Sequence, residues 1–445
     1  MKRILYIALI MLTTAAGAKD RPEPSFVYDV DFEMLFDNRE FAESSFTPSM
    51  TIFGARLTPQ IGLALDEGNG ALHRLMAGID VMKDFGASPV SETIAGGQTA
   101  ETSAKLNNLS LFRELTIYYN FSKKIAKTDM EIYAGIFPRK TMEGAYSQAL
   151  FSDSLKFYDN NLEGLLLKFS RPKAYFEVGC DWMGQYGAAR RERFMIFTAG
   201  EAKVLPFMSL GYAGYMLHYA NSQQVKGLLD NIIVNPYARF DFARTAGMQA
   251  LSFRLGWLQA MQRDRLNVGT FVFPFGGEFD QEICQWNVGV HNKMFFGHNM
   301  MPYYSGADKA GLKYGPDLYF GDPFYRVHDD GRTGSGFYDR LEVYYEPQIA
   351  EFLSLKVSAL FHFNGRRYSG CQQMIGLLFK LDKLLRRESS GIFVVICQFS
   401  KKMAMKSEMT LRSRVDGLDI SVLLVTPEEE PKAVIQLSHG ICGFK

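Results

Sequence analysis

The stretch Leu353-Ser354-Leu355-Lys356-Val357-Ser358-Ala359-Leu360-Phe361-His362-Phe363 decides how this chain is read. One parity reads Leu, Leu, Val, Ala, Phe, Phe, and the other reads Ser, Lys, Ser, Leu, His. Side chains on a strand point alternately to opposite faces, so the segment has an oily face and a mostly wet one. A tilted strand needs about 9 to 11 residues to cross a bilayer's hydrocarbon core. A soluble strand is more often about five or six. The stretch is long enough to span, and its pattern recurs down the chain, which predicts a transmembrane β-barrel.

Working outward, Ile61, Leu63 and Leu65 share a face, 66–70 turns the chain, and Leu75, Ala77, Ile79 and Val81 return with Arg74, Gly78 and Asp80 opposite. Asn69-Gly70 between alternating runs is a hairpin signal. The Gly-, Thr- and Ser-rich segment 87–108 reads as a surface loop, and 141–161 as a longer polar segment. Phe176, Val178, Cys180 and Trp182 alternate with Glu177, Gly179 and Asp181. Ala238, Phe240 and Phe242 oppose Arg239 and Asp241, and Leu251, Phe253, Leu255 and Trp257 oppose Ser252, Arg254 and Gly256. The longest loop is 297–336; after it Leu341, Val343 and Tyr345 oppose Arg340 and Glu342. Short turns alternate with long loops, and 371–381 closes the wall. At roughly one strand per 20 to 25 residues this gives about 14 to 16 strands, even-numbered as in single-chain bacterial barrels. The region 267–296 holds one strand or two. A soluble all-β sandwich also alternates, but strand length, charges recurring on the wet parity and an exporting leader favour the barrel.

That leader is Lys2-Arg3, the apolar run 4–12 and the A-x-A site Ala16-Gly17-Ala18, a signal peptide over 1–18. With 445 residues, a net charge of +1, 14% aromatics and 40 glycines, the composition suits one large barrel over 19–381 and gives no reason to expect nucleic acid. The five cysteines form no CxxC pair, so neither a disulfide framework nor a zinc site is expected.

In pattern, 26–381 resembles outer-membrane β-barrel proteins of Gram-negative bacteria, porin-like ones among them. The resemblance implies an outer-membrane location, contact with outer-membrane lipid, and a passive channel for small solutes; oligomeric state stays open. The lumen would be lined by Arg74, Asp80, Glu177, Asp181, Arg239, Asp241, Arg254, Arg340, Glu342, Lys356 and His362, which either tune solute passage or pair with one another and fill the interior. The loop 297–336 sets Tyr303, Tyr304, Tyr314, Tyr319 and Tyr325 beside Asp308, Asp317 and Asp322. Aromatics next to carboxylates suit a glycan, and such a loop either folds inward or packs on itself. The spacing of His291, His298, His328 and Asp329 matches no metal site, and no cofactor is expected. The chain is expected to be no enzyme; the alternative is a barrel hydrolase with His218 or His362 as base.

After Leu381 the character changes. Residues 382–404 read as linker, and 405–445 as three short strands ending in Ser438-His439-Gly440-Ile441-Cys442-Gly443. This resembles the N-terminus of α/β-hydrolases of the monoacylglycerol-lipase and serine-aminopeptidase kind, whose His-Gly-x-x-Gly turn helps build an oxyanion hole. His439, Gly440 and Gly443 match that turn. No G-x-S-x-G occurs anywhere in the sequence, so the turn has no reaction to serve. The tail is expected to be a non-catalytic fragment, either the product of two joined reading frames or a genuine periplasmic appendage.

Overall fold

The computed structural model describes residues 24–41, 49–85, 112–308, 311, 314–328, 334–388, 405–412 and 419–426. The leader, the whole 87–108 loop, and His439, Gly440 and Gly443 lie outside them.

The wall begins with β1 (Ser25–Glu40), β2 (Met50–Asp66), β3 (Ala71–Asp84), β4 (Phe112–Ile125), β5 (Thr128–Pro138), β6 (Asn161–Arg171), β7 (Ala174–Gly184) and β8 (Arg193–Leu205). It continues with β9 (Met208–Tyr219), β10 (Leu229–Asp241), β11 (Ala250–Asp264), β12 (Phe275–Gln285), β13 (Val288–His298), β14 (Ser335–Tyr345), the three-residue β15 (Gln348–Ala350), β16 (Leu353–Asn364) and β17 (Arg367–Lys380). Each long strand pairs antiparallel with its sequence neighbours, β14 with β16 across the short β15, and β1 pairs with both β2 and β17. The result is a closed, up-and-down barrel of sixteen long strands. A closed ring leaves no unpaired edge, the condition for β-structure in lipid. The region 267–296 holds two strands, β12 and β13, joined by a two-residue turn.

The alternation predicted from sequence sets the two faces. Ile61, Leu63, Leu75, Leu115, Leu165, Leu255 and Val357 are exposed on the outside, as a lipid-facing wall requires. Aromatic columns ring both rims. At the short-turn end Phe207 stacks on Phe242 and Phe253 on Phe279. At the other end Trp182, Phe194 and His218 stack at centroid spacings of 5.4 and 4.8 Å, and Phe275 packs on His298. His218 therefore belongs to the outer girdle and does not face the lumen.

The two ends differ. One carries tight connections such as 126–127, 172–173, 206–207 and 286–287; the other carries 139–160, 185–192, 220–228 and 299–334. Two of these long connections turn inward. The segment 141–161, read from sequence as simply polar, has Ala149, Leu150 and Phe151 at 1, 0 and 1% exposure. It also contains the helix α1 (Asp153–Tyr158), capped by Ser152 Oγ accepting from the Leu155 N–H. The 299–334 connection buries Met300, Met301, Tyr314, Leu318, Tyr319, Phe324 and Tyr325. Together with wall residues Phe137, Leu162, Leu166, Met195, Phe197, Tyr215 and Phe295 these form one apolar core inside the barrel. Fully burying a side chain of this size stabilises by about 1.5–3 kcal/mol.

Residues 382–445 form a separate unit. Among its described residues Met405–Arg412 and Asp419–Thr426 pair as an antiparallel hairpin.

Candidate functional site in the barrel lumen

Pro138 ends β5, and the chain bends into the lumen over the inner face of β6–β8. Glu177, at 0% exposure, accepts from the Glu143 and Gly144 N–H groups at 2.7 and 2.9 Å and from the Tyr146 hydroxyl at 2.8 Å. Asp181 accepts from the Glu163 N–H and pairs with Arg139 at 3.3 Å, and Arg139 also reaches Asp159 at 3.1 Å. Arg254 donates to the Ala145 carbonyl and lies 3.9 Å above the Tyr237 ring. Three residues predicted to line a pore thus fasten an insert.

The second insert is fastened in the same manner. The Tyr319 hydroxyl donates to Gln262 Oε1 at 2.7 Å, the Tyr314 hydroxyl to Asp264 at 3.1 Å, and the Tyr325 hydroxyl to Glu278 at 2.7 Å. Asp308 pairs with Arg191 and Asp317 with Arg193. Tyr304 stacks on Tyr319 and lies beneath Arg326; the Tyr303 N–H donates to the Tyr319 hydroxyl. The two inserts also bind each other. The Ser152 N–H donates to the Phe320 carbonyl, and the Asp322 N–H to Gln148 O. Gly321 passes so close to Ala149 that a Cβ there would sit 2.1 Å from the Ala149 carbonyl oxygen. Burial pushes the Tyr319 and Tyr325 hydroxyls well above the usual phenol range, so both are donors at any ordinary pH.

Space remains along the inner face of β1. One cavity, about 330 Å³, is lined by Asp37, Arg39, Asp153, Ser154, Asp322 and Arg340 among others. Arg39 pairs with Asp37 at 2.7 Å and donates to Ser154 Oγ at 3.0 Å. Arg340 reaches Asp153 at 3.2 Å and Glu342 at 3.5 Å. Burial would raise the Asp153 carboxyl, but the Arg340 guanidinium, with Lys156, Lys293 and Lys356 further off, holds it down at about 2. A second cavity, about 520 Å³, lies beside Asp31, Glu33, Arg56, Thr58, Lys140 and Tyr146. Here Lys140 bridges Asp29 and Asp31 at 2.7 and 2.5 Å, and Arg56 pairs with Asp80 at 3.0 Å, both at 2% exposure. Burial works against the Lys140 ammonium, yet Asp29 and Asp31 raise it above the ordinary lysine range.

The remaining predicted residues lie apart. Arg74 donates to Asn120 on the inner face. Lys356 pairs with Glu342 at 2.8 Å, over the Tyr344 ring. Arg239 and Asp241 sit exposed at the short-turn rim, where Asp241 accepts from the Ala243 N–H. His362 is 1% exposed: its Nδ1 meets the Tyr338 hydroxyl at 2.9 Å and its Nε2 meets Gln372 Oε1 at 2.8 Å. Because the Gln372 amide donates to Asp37, its carbonyl oxygen must accept from Nε2–H, and Nδ1 receives the tyrosine proton. Both ring nitrogens are engaged. His291 faces Asp280 and Glu342 in the lumen while His298 packs against Phe275 outside, so these two cannot share an ion.

Sequence reading takes 26–36 as a mixed stretch that could be the first strand, but draws no lumenal residue from it, although Asp29, Asp31, Glu33, Asp37 and Arg39 share one parity of β1, interrupted by Leu35. That parity was the available signal, since Tyr28, Val30, Phe32, Met34 and Phe36 between are all apolar or aromatic.

The fold defines an outer-membrane-type β-barrel whose lumen is partly filled by two inserts. Residues 20–224, somewhat under half the chain, match a family model described as lipid A 3'-O-deacylase-type. That family is one of enzymes, which overturns the expectation that the chain is no enzyme. No curated protein matches. Among solved structures, a triple-mutant porin of Rhodopseudomonas blastica is similar at 12% identity and TM-score 0.39, covering 80% of this chain and all of its own. A loop-deletion mutant of OmpT from Vibrio cholerae is similar at 8% identity and TM-score 0.44, covering 80% and 99%.

Proposed function

We propose that the protein is an outer-membrane barrel enzyme that hydrolyses an acyl ester of an amphiphilic lipid in its own membrane. The observation that carries this reading is the deacylase-type match over 20–224, which spans β1–β9 and the first insert. The geometry supports it in two ways. Both inserts occupy lumen that a passive channel would leave open. Ester hydrolysis needs a base for water and positive groups for the oxyanion, and the cavity on β1 offers Asp37, Asp153 and Asp322 beside Arg39 and Arg340.

The test incubates refolded full-length protein with lipid A in mixed micelles and follows released fatty acid by mass spectrometry. Release is expected, and Arg39→Ala and Asp153→Asn lower it about 10²-fold. Intact lipid together with steady ionic conductance in planar bilayers sinks the reading.

A further inference from the structure

The cavity beside Glu33 carries an imbalance that the acyl-hydrolase reading does not use. Its cations are all accounted for. Arg56 goes to Asp80, Arg139 to Asp159 and Asp181, Lys140 to Asp29 and Asp31, and Lys156 to Asp153. Glu33 is different. It lies directly across from Arg56 in the β1–β2 register and from Leu378 in the β1–β17 register. Arg56, however, turns away to β3, and Glu33 has no hydrogen-bond or ion-pair partner among the described residues. Its carboxylate is half-buried and faces the cavity.

The lining says what would complete it. Around Glu33 stand the Thr58 and Tyr146 side chains, the amide of Asn160, and the apolar surfaces of Met142 and Leu378. Carboxylate, hydroxyl and aromatic groups around a common space suit an N–H-bearing cation with an alkyl body. A bare divalent ion fits less well: it needs several oxygens at one point, and Glu33 is absent from every group of acidic side chains close enough to share an ion among the described residues. At about 520 Å³ the cavity has the size of small-molecule sites.

We propose that this cavity binds a small organic amine, its ammonium group seated on the Glu33 carboxylate and its carbon chain against Met142 and Leu378. The site is distinct from the Arg39–Asp153 cavity and does not depend on the hydrolase reading.

The experiment is calorimetric titration of the full chain in detergent with spermidine, with magnesium chloride as comparator. Saturable one-to-one binding of spermidine is expected, weakened at least tenfold in Glu33→Gln and unaltered in Glu346→Gln, a change at the exposed short-turn rim. Absence of saturable binding overturns the proposal, as does equal binding by Glu33→Gln or equal competition by magnesium at matched ionic strength. If Glu33→Gln does not fold, Leu378→Trp decides. It fills the cavity and leaves the carboxylate in place, so loss of binding supports the site and retention overturns it.

Discussion

The two sides of the lumen are built on opposite terms. Along β6–β13 the wall's polar groups are spent on the inserts: Glu177, Asp181, Asn231, Gln262, Asp264 and Glu278 each hold a hydroxyl, an amide, a guanidinium or a carbonyl of chain folded in from the rim. Along β1, β2 and β17 the wall's polar groups face space, and its acids meet cations supplied largely by side chains, among them Lys140 and Arg56. The first side behaves as the interior of a soluble domain, close-packed and cross-linked to the inserts by hydrogen bonds. The second behaves as a lined cavity. Inward-pointing polar residues therefore do not by themselves mark a conduit, because the same residue types can serve as fastenings.

Breaking the packed side should have the largest consequence. Glu177→Ala removes the acceptor of two backbone N–H groups and the Tyr146 hydroxyl at once. With an unsatisfied buried donor costing about 1–3 kcal/mol, a loss of about 3 kcal/mol or more is expected. It is read as a lower temperature for the heat-modifiable gel shift and as new conductance when the first insert lets go. Unchanged conductance would mean the insert is held by its apolar contacts alone. Gly321→Ala comes next. A methyl group against the Ala149 carbonyl forces the two inserts apart, at about 1–3 kcal/mol, and the measure is faster cleavage within 299–334 by added protease. Tyr325→Phe is smaller, about 1–2 kcal/mol for one lost bond to a charged acceptor, because Ser147 Oγ still donates to Glu278 at 2.5 Å.

The smallest effect sharpens the comparison from the cavity side. Asp153 is held below its ordinary value of 3.8, at about 2. A depressed carboxyl stabilises the fold above its unfolded pKa, and that contribution disappears as pH falls through the folded value. The heat-modifiable transition should therefore drop between about pH 4 and 2, and less steeply in Arg340→Leu. Its amplitude stays modest, since the Asp153 side chain is 48% exposed to the cavity and solvent screens the pair.

How far the chain could be read from sequence follows the same division. Lipid enforces alternation on the outer face, so strands such as β7 and β16, with unbroken oily parity, were plain. The pair β12–β13 was hidden because its turn is Trp286-Asn287, both at positive φ, with no glycine to announce it. The inner face obeys no such simple rule. Tyr319 and Tyr325 looked like ligand-binding aromatics on a loop, and nothing local shows that their hydroxyls meet acceptors 57 and 47 residues away. The polar look of 141–161 hid Ala149-Leu150-Phe151, a three-residue apolar run that was the one local clue to an inward fold.

The seam between β1 and β17 pairs Asp31 with Lys380 and runs to Glu40 with Cys371. The cylinder consequently cannot shut until nearly its last strand has been synthesised and delivered. Both inserts lie within the circumference that this seam completes, so the space they fill is defined only once the first and last strands meet.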